Sequence, residues 1–128
     1  MKIASALLAE NDFLTADIEL KRRSGLINKA NILLFQFNGR VYAYLNHCMH
    51  MQRPLNCQQD AIFDRERQRL RCSMHGFVFE PETGVCLSPV CEGQQLQPIK
   101  LIEQDGFLSL HDKQAEIVAI YRCGKELI

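Results

Sequence analysis

Apolar and polar residues alternate over short runs broken by turn residues, and no stretch keeps a helical three-to-four spacing. The clearest signal joins Asn31-Ile-Leu-Leu-Phe-Gln-Phe37 to Arg40-Val-Tyr-Ala-Tyr-Leu45 across Asn38-Gly39. Asn-Gly favours a two-residue turn with positive φ at both positions, so the two runs are expected to form a hairpin. A period of two puts Val41, Ala43 and Leu45 on one face, with Tyr42 and Tyr44 on the other. Residues 17–23 alternate more weakly. Residues 61–63 and 69–71 flank a charged turn and are expected to pair, the second run leading into Cys72. Residues 77–80 lead to a turn at Thr83-Gly84, and 98–103 and 107–111 form a closing hairpin through Asp105-Gly106. The one candidate helical turn is 11–14. Residues 112–128, apolar at 117–120, add either an edge strand or a tail helix. The expectation is all-β.

With 128 residues, 47% of them hydrophobic and 23% charged, the chain suits one domain spanning 1–128. At that size, folding buries roughly two-thirds of the unfolded surface, enough for a core without staples. The formal net charge is zero, which gives no nucleic-acid footprint. In Arg65-Glu66-Arg67-Gln68-Arg69-Leu70-Arg71 the arginines fall at every second residue, as on the wet face of a strand. No stretch approaches the roughly 18 apolar residues of a membrane span. The apolar run before Glu10 and Asp12 is short for a secretory signal. A soluble, cytoplasmic protein is expected, and in that compartment free thiols are the default.

Two passages carry the chemistry. Cys48-Met49-His50 and Cys72-Ser73-Met74-His75-Gly76 each place one Cys and one His in a short stretch. Two thiolates and two imidazoles make a four-ligand metal site. Zinc is the alternative to be weighed, but zinc fingers usually pair like with like. Mixed pairs suit a cluster in which one iron takes a Cys from each loop and the other a His from each.

The surrounding residues resemble the Rieske [2Fe–2S] family, in particular stand-alone bacterial Rieske-type ferredoxins. Leu55 follows the first loop where that family places an aliphatic residue. Cys72-Ser-Met-His75-Gly76-Phe77-Val78-Phe79 is similar to its Cys-x-x-His-Gly-x-x-aromatic, Glu80–Gly84 to its turn, and Ser88-Pro89 to its proline loop. The resemblance runs from about residue 17 to residue 111. It implies an antiparallel β sandwich with a small cluster-binding subdomain at about 46–90 and a C-terminal extension at 112–128. It also implies a [2Fe–2S] cluster held by Cys48, His50, Cys72 and His75, both histidines at the exposed tip. The extra loop cysteines that form a disulfide in respiratory relatives are missing. Of the remaining cysteines, Cys57, Cys86, Cys91 and Cys123, all are expected as thiols, with a Cys86–Cys91 bridge the alternative.

Such a cluster moves one electron at a time. Rieske-type oxygenases add a two-His–one-carboxylate iron site, but only His47 and His111 remain here. No nucleophile–base pair or phosphate loop appears, so an electron-transfer component rather than a catalyst by itself is expected. The resemblance implies a low-potential ferredoxin carrying electrons from a flavoprotein or other reductase to an oxygenase or similar redox enzyme. Docking is expected around Met49, Met51, Arg53 and Pro89. The alternatives are a small subunit resembling that of assimilatory nitrite reductase, and a zinc-stabilised binding module without redox role.

Overall fold

The computed structural model describes residues 2–21, 25, 27–46, 63, 68–71, 78–89, 94–122 and 125–127. In chain order the strands are β1 (Ile3–Ala4), β2 (Phe13–Lys21), β3 (Ile27–Phe37), β4 (Arg40–Leu45) and β5 (Leu70–Arg71). They continue with β6 (Val78–Phe79), β7 (Leu101–Gln104), β8 (Phe107–Leu110), β9 (Ala115–Arg122) and β10 (Lys125–Glu126). A 3-10 turn spans Ser5–Leu7. No helix among the described residues is long and apolar enough to cross a membrane.

A five-stranded antiparallel sheet, ordered β10-β9-β2-β3-β4, forms the base. Beside its central strand, β2, lies β3, whose Ile32-Leu33-Leu34-Phe35 is completely buried. Such a continuous apolar run is what a strand covered on both faces requires. Ile32 and Leu34 join Leu14, Ala16, Ile18, Ile117 and Ile120 in a core closed by the three-stranded sheet β1-β8-β7. On the opposite face Leu33, Phe35 and Phe37 meet Phe13, Tyr44, Leu70, Phe79, Cys86 and Leu96. The division of β4 is as expected: Val41 and Ala43 pack on the first core, Tyr42 and Tyr44 on the second.

Two hairpins follow their turn residues. Phe37 pairs with Arg40, and Asn38 and Gly39 take φ 52° and 77°. Gln104 pairs with Phe107, and Asp105 and Gly106 take φ 54° and 79°. The first turn is clamped further, because the Glu10 carboxylate accepts from the Asn38 and Gly39 amides at 2.7 and 2.9 Å.

Three expectations change. Residues 11–14 are not a helical turn: Asn11 sits at φ 62°, its N–H donating to the Gln36 carbonyl at 2.8 Å, and β2 has begun by Phe13. Alternation decides it, since Phe13 and Leu14 point into different cores. The strand expected from residue 98 starts at Leu101. Before it, the chain closes the β4 edge, with Leu45 N–H donating to Gln97 O and Ile99 N–H to Ala43 O, each at 2.9 Å. Pro98, which has no N–H, falls between those bonds. Finally, the open choice for 112–128 falls to strand in β9 and β10: β9 lies beside β2 inside the sheet and β10 takes the edge.

Candidate metal centre

Cys48, His50, Cys72 and His75 lie outside the described residues, as do His47, Met49, Met51 and Arg53. The structure does describe the elements that lead into and out of the two passages. Leu45 pairs with Ile32 at the end of β4, and Asn46 follows, its N–H donating to Asn31 O at 2.9 Å. The chain thus leaves the base sheet two residues before Cys48. Leu70 pairs with Phe79 and Arg71 with Val78, so β5 and β6 are antiparallel neighbours that close the connection 72–77. Cys72, His75 and Gly76 belong to that one connection. An antiparallel bridge between Phe63 and Leu70 supports the expected pairing of 61–63 with 69–71.

This insert is fastened to the base by packing. Leu70 and Phe79 are each 1% exposed, on the core shared with Leu33 and Phe35. Phe63 meets Phe35 edge-on at 5.5 Å and stacks on Phe37 at 6.1 Å between ring centroids. Aromatic pairs at these separations are favourable beyond their buried area. Beyond β6, Leu87 N–H donates to Val78 O at 2.7 Å and the Ser88 hydroxyl accepts from Val78 N–H at 3.0 Å. The segment leading to Pro89 therefore grips the exit of the second passage, and Pro89 itself is exposed.

Tyr44 is the residue whose role the sequence did not reveal. Alternation placed it on the right face, but nothing marked its hydroxyl as a tie. Buried on β4, it donates to the Pro81 carbonyl at 2.7 Å and so joins the base to the turn after β6. Burial pushes its pKa up to about 12, with Tyr42, Glu80 and Glu82 acting in the same direction. Gly84, at φ 76°, lies under that ring: a Cβ there would sit 2.8 Å from Tyr44 Cε1 and 3.1 Å from Leu96 Cβ. Only glycine meets both demands, left-handed backbone and close approach.

Cys86 corrects the expectation of thiols throughout. It is buried and disulfide-bonded, its partner lying outside the described residues, where the alternative partner Cys91 also falls. The backbone doubles back here, Cys86 N–H donating to Gln94 O at 2.8 Å, which brings distant parts of 86–94 together.

The donor chemistry fits an iron–sulfur cluster. Two thiolates and two imidazoles are the set that a Rieske centre takes. Among the described residues no group of His, Cys, Asp and Glu could hold a metal ion, and His111 is exposed beyond β8. The sequence model of the Rieske [2Fe-2S] domain matches residues 8–98. No curated protein matches the chain.

Among solved structures, the chain is similar to the ferredoxin of carbazole 1,9a-dioxygenase from Nocardioides aromaticivorans IC177. That match has 15% identity and a TM-score of 0.61 over 88% of this chain and 97% of that one. It is also similar to the terminal oxygenase of carbazole 1,9a-dioxygenase from Novosphingobium sp. KA1, with 21% identity and a TM-score of 0.61. There it covers 88% of this chain but spans only 29% of the other. In the reduced complex between oxygenase and ferredoxin of carbazole 1,9a-dioxygenase, it spans 27% of the matched chain at 18% identity and TM-score 0.61. These likenesses agree on the fold. With the domain model matching 8–98 of its 128 residues, the chain belongs to the Rieske [2Fe-2S] domain family.

Proposed function

We propose that the chain is a Rieske-type ferredoxin whose [2Fe–2S] cluster is held by Cys48, His50, Cys72 and His75. It carries single electrons from a reductase to an oxygenase or similar redox enzyme. The observation that carries this reading is the Rieske [2Fe-2S] domain model over residues 8–98, supported by a fold similar to that of a ferredoxin. Several similar structures are complexes of an oxygenase with a ferredoxin, which supports an oxygenase as acceptor.

When bound, the cluster supplies one reversible electron. The chain's own residues hold that group still. The β5–β6 register joins the connection containing Cys72 and His75 to a buried base, while Tyr44 and Phe63 fix the insert to β3 and β4. A carrier gains from such rigidity because little then has to reorganise when charge changes. It acts as a donor and acceptor of electrons rather than as a catalyst by itself.

Purified protein should be red-brown, with two irons and inorganic sulfide per chain. Replacing Cys72 with Ser, or His75 with Ala, should abolish iron incorporation. Cys57→Ser and Cys123→Ser should leave iron content unchanged. Iron retained without His75, or zinc in place of iron, would refute the ligand assignment. Reduction by a flavoprotein reductase, followed by reoxidation with an oxygenase, tests the direction of transfer.

A further inference from the structure

A row of polar side chains crosses the base sheet on the face that carries the insert, and it ends where β4 leaves for the first ligand passage. Asp17 on β2 is directly opposite Asn31 on β3, and Asn46 continues β4 beside Asn31. Asn46 Nδ2 donates to Asn31 Oδ1 at 2.7 Å, and Asn31 Nδ2 donates to Asp17 Oδ1 at 2.8 Å. From the other side, the Tyr121 hydroxyl of β9 donates to Asp17 Oδ2 at 2.8 Å. Asn46 is 5% exposed, one of few buried polar residues among those described.

The direction of this chain of bonds is not free. An ionised carboxylate only accepts, so Asn31 must turn its amide nitrogen toward Asp17. Its oxygen then faces Asn46, which in turn must present its own nitrogen. Asp17 therefore fixes the orientation of an amide two strands away, and the Asn46 oxygen becomes the acceptor end of the row. Tyr121 lies beyond the residues that the family model matches, 8–98, so β9 completes the row from outside that match.

We propose that Tyr121, Asp17, Asn31 and Asn46 are positioning residues for the first ligand passage. They hold the side chain and backbone of Asn46 in one orientation two residues before Cys48, where the chain enters that passage. The proposal rests on the reading of Cys48 and His50 as ligands. The row is half-buried, with Asn46 its buried end, and hydrogen bonds linked in such a chain reinforce one another.

The test uses cluster-loaded protein, the g-values of its reduced electron paramagnetic resonance spectrum, and its midpoint potential. Asn31→Leu cuts the row without changing charge, and Asp17→Asn frees its direction. Both should shift the g-values and the midpoint at unchanged iron content. The exchange Asp17→Asn with Asn31→Asp again puts an acceptor-only group before Asn46, so it should restore the wild-type g-values. Tyr121→Phe, at the far end, should give a smaller shift in the same sense, and it keeps the test decisive if Asn31→Leu fails to fold. Wild-type g-values in Asn31→Leu, or in Tyr121→Phe where Asn31→Leu does not fold, would overturn the proposal. So would a shift in Asp17→Asn alone, which would report charge acting through space. Wild-type protein with no Rieske-type spectrum would instead refute the ligand reading beneath it.

Discussion

Tyr44 shows how one hydroxyl couples the base to the insert. Tyr44→Phe leaves the buried Pro81 carbonyl without its donor, a loss of about 1–3 kcal/mol. Urea denaturation should show a lower midpoint with unchanged slope. The same residue gives the protein an alkaline limit. Folded Tyr44 keeps its proton up to about 12, whereas the unfolded side chain releases it near 10. Between those values the unfolded state binds fewer protons, so stability falls as pH rises. Its contribution is complete below pH 10 and disappears through about 12, and Tyr44→Phe should flatten that decline. The Tyr121 pKa is also raised, mainly because its hydroxyl donates to Asp17, and it acts in the same direction. Gly84→Ala probes the other side of the contact. Its positive φ and the 2.8 Å approach to Tyr44 predict a loss of about 1–3 kcal/mol or more in thermal denaturation. Gly39→Ala also has positive φ, but nothing lies within 4 Å, so it should cost less.

At the scale of elements, legibility followed locality. The Asn38-Gly39 and Asp105-Gly106 hairpins were readable because turn chemistry and period-two alternation are written in adjacent residues. The β5–β6 pair was readable in part, since Phe63, Leu70 and Phe79 mark short apolar steps around the Cys-x-x-His passage. What could not be read depends on distant partners. The row from Asp17 to Asn46 requires knowing that β2, β3 and β4 lie side by side in one register. Residues 112–128 were ambiguous for the same reason: an apolar run at 117–120 suits a helix or a strand until β2 supplies its neighbour. That pairing makes β9 part of the core rather than an appendage, with Ile117 and Ile120 at 2% and 0% exposure. Ile120→Ala should therefore cost about 2–5 kcal/mol, the usual range for emptying a fully buried site. Chemical denaturation checks it, and a near-neutral effect would mean that the segment is dispensable.

For the whole molecule, the functional quantity is the potential at which it holds its electron. Rieske centres span roughly −150 to +300 mV. Hydrogen bonds to cluster sulfurs raise the potential because they stabilise the added negative charge of the reduced state. High-potential respiratory relatives, as the family resemblance implies, carry a Ser two residues after the second His ligand and a Tyr four residues after it. Phe77 and Phe79 stand there in this chain, and neither can donate a hydroxyl. The fold uses Phe79 differently. At 1% exposure it packs with Leu70, Cys86 and Leu96 and so fastens the insert to the base. A tyrosine at that position would need a polar partner within an apolar core, so its hydroxyl could not be added without cost there. The midpoint should accordingly fall in the lower half of the Rieske range, where a reduced carrier gives up its electron readily. Protein-film voltammetry at neutral pH decides the matter, and a midpoint in the upper half would refute the low-potential assignment. Phe79→Tyr supplies the converse check: if the hydroxyl finds the cluster, the midpoint should rise; if it is held in the core, stability should fall and the midpoint stay where it was.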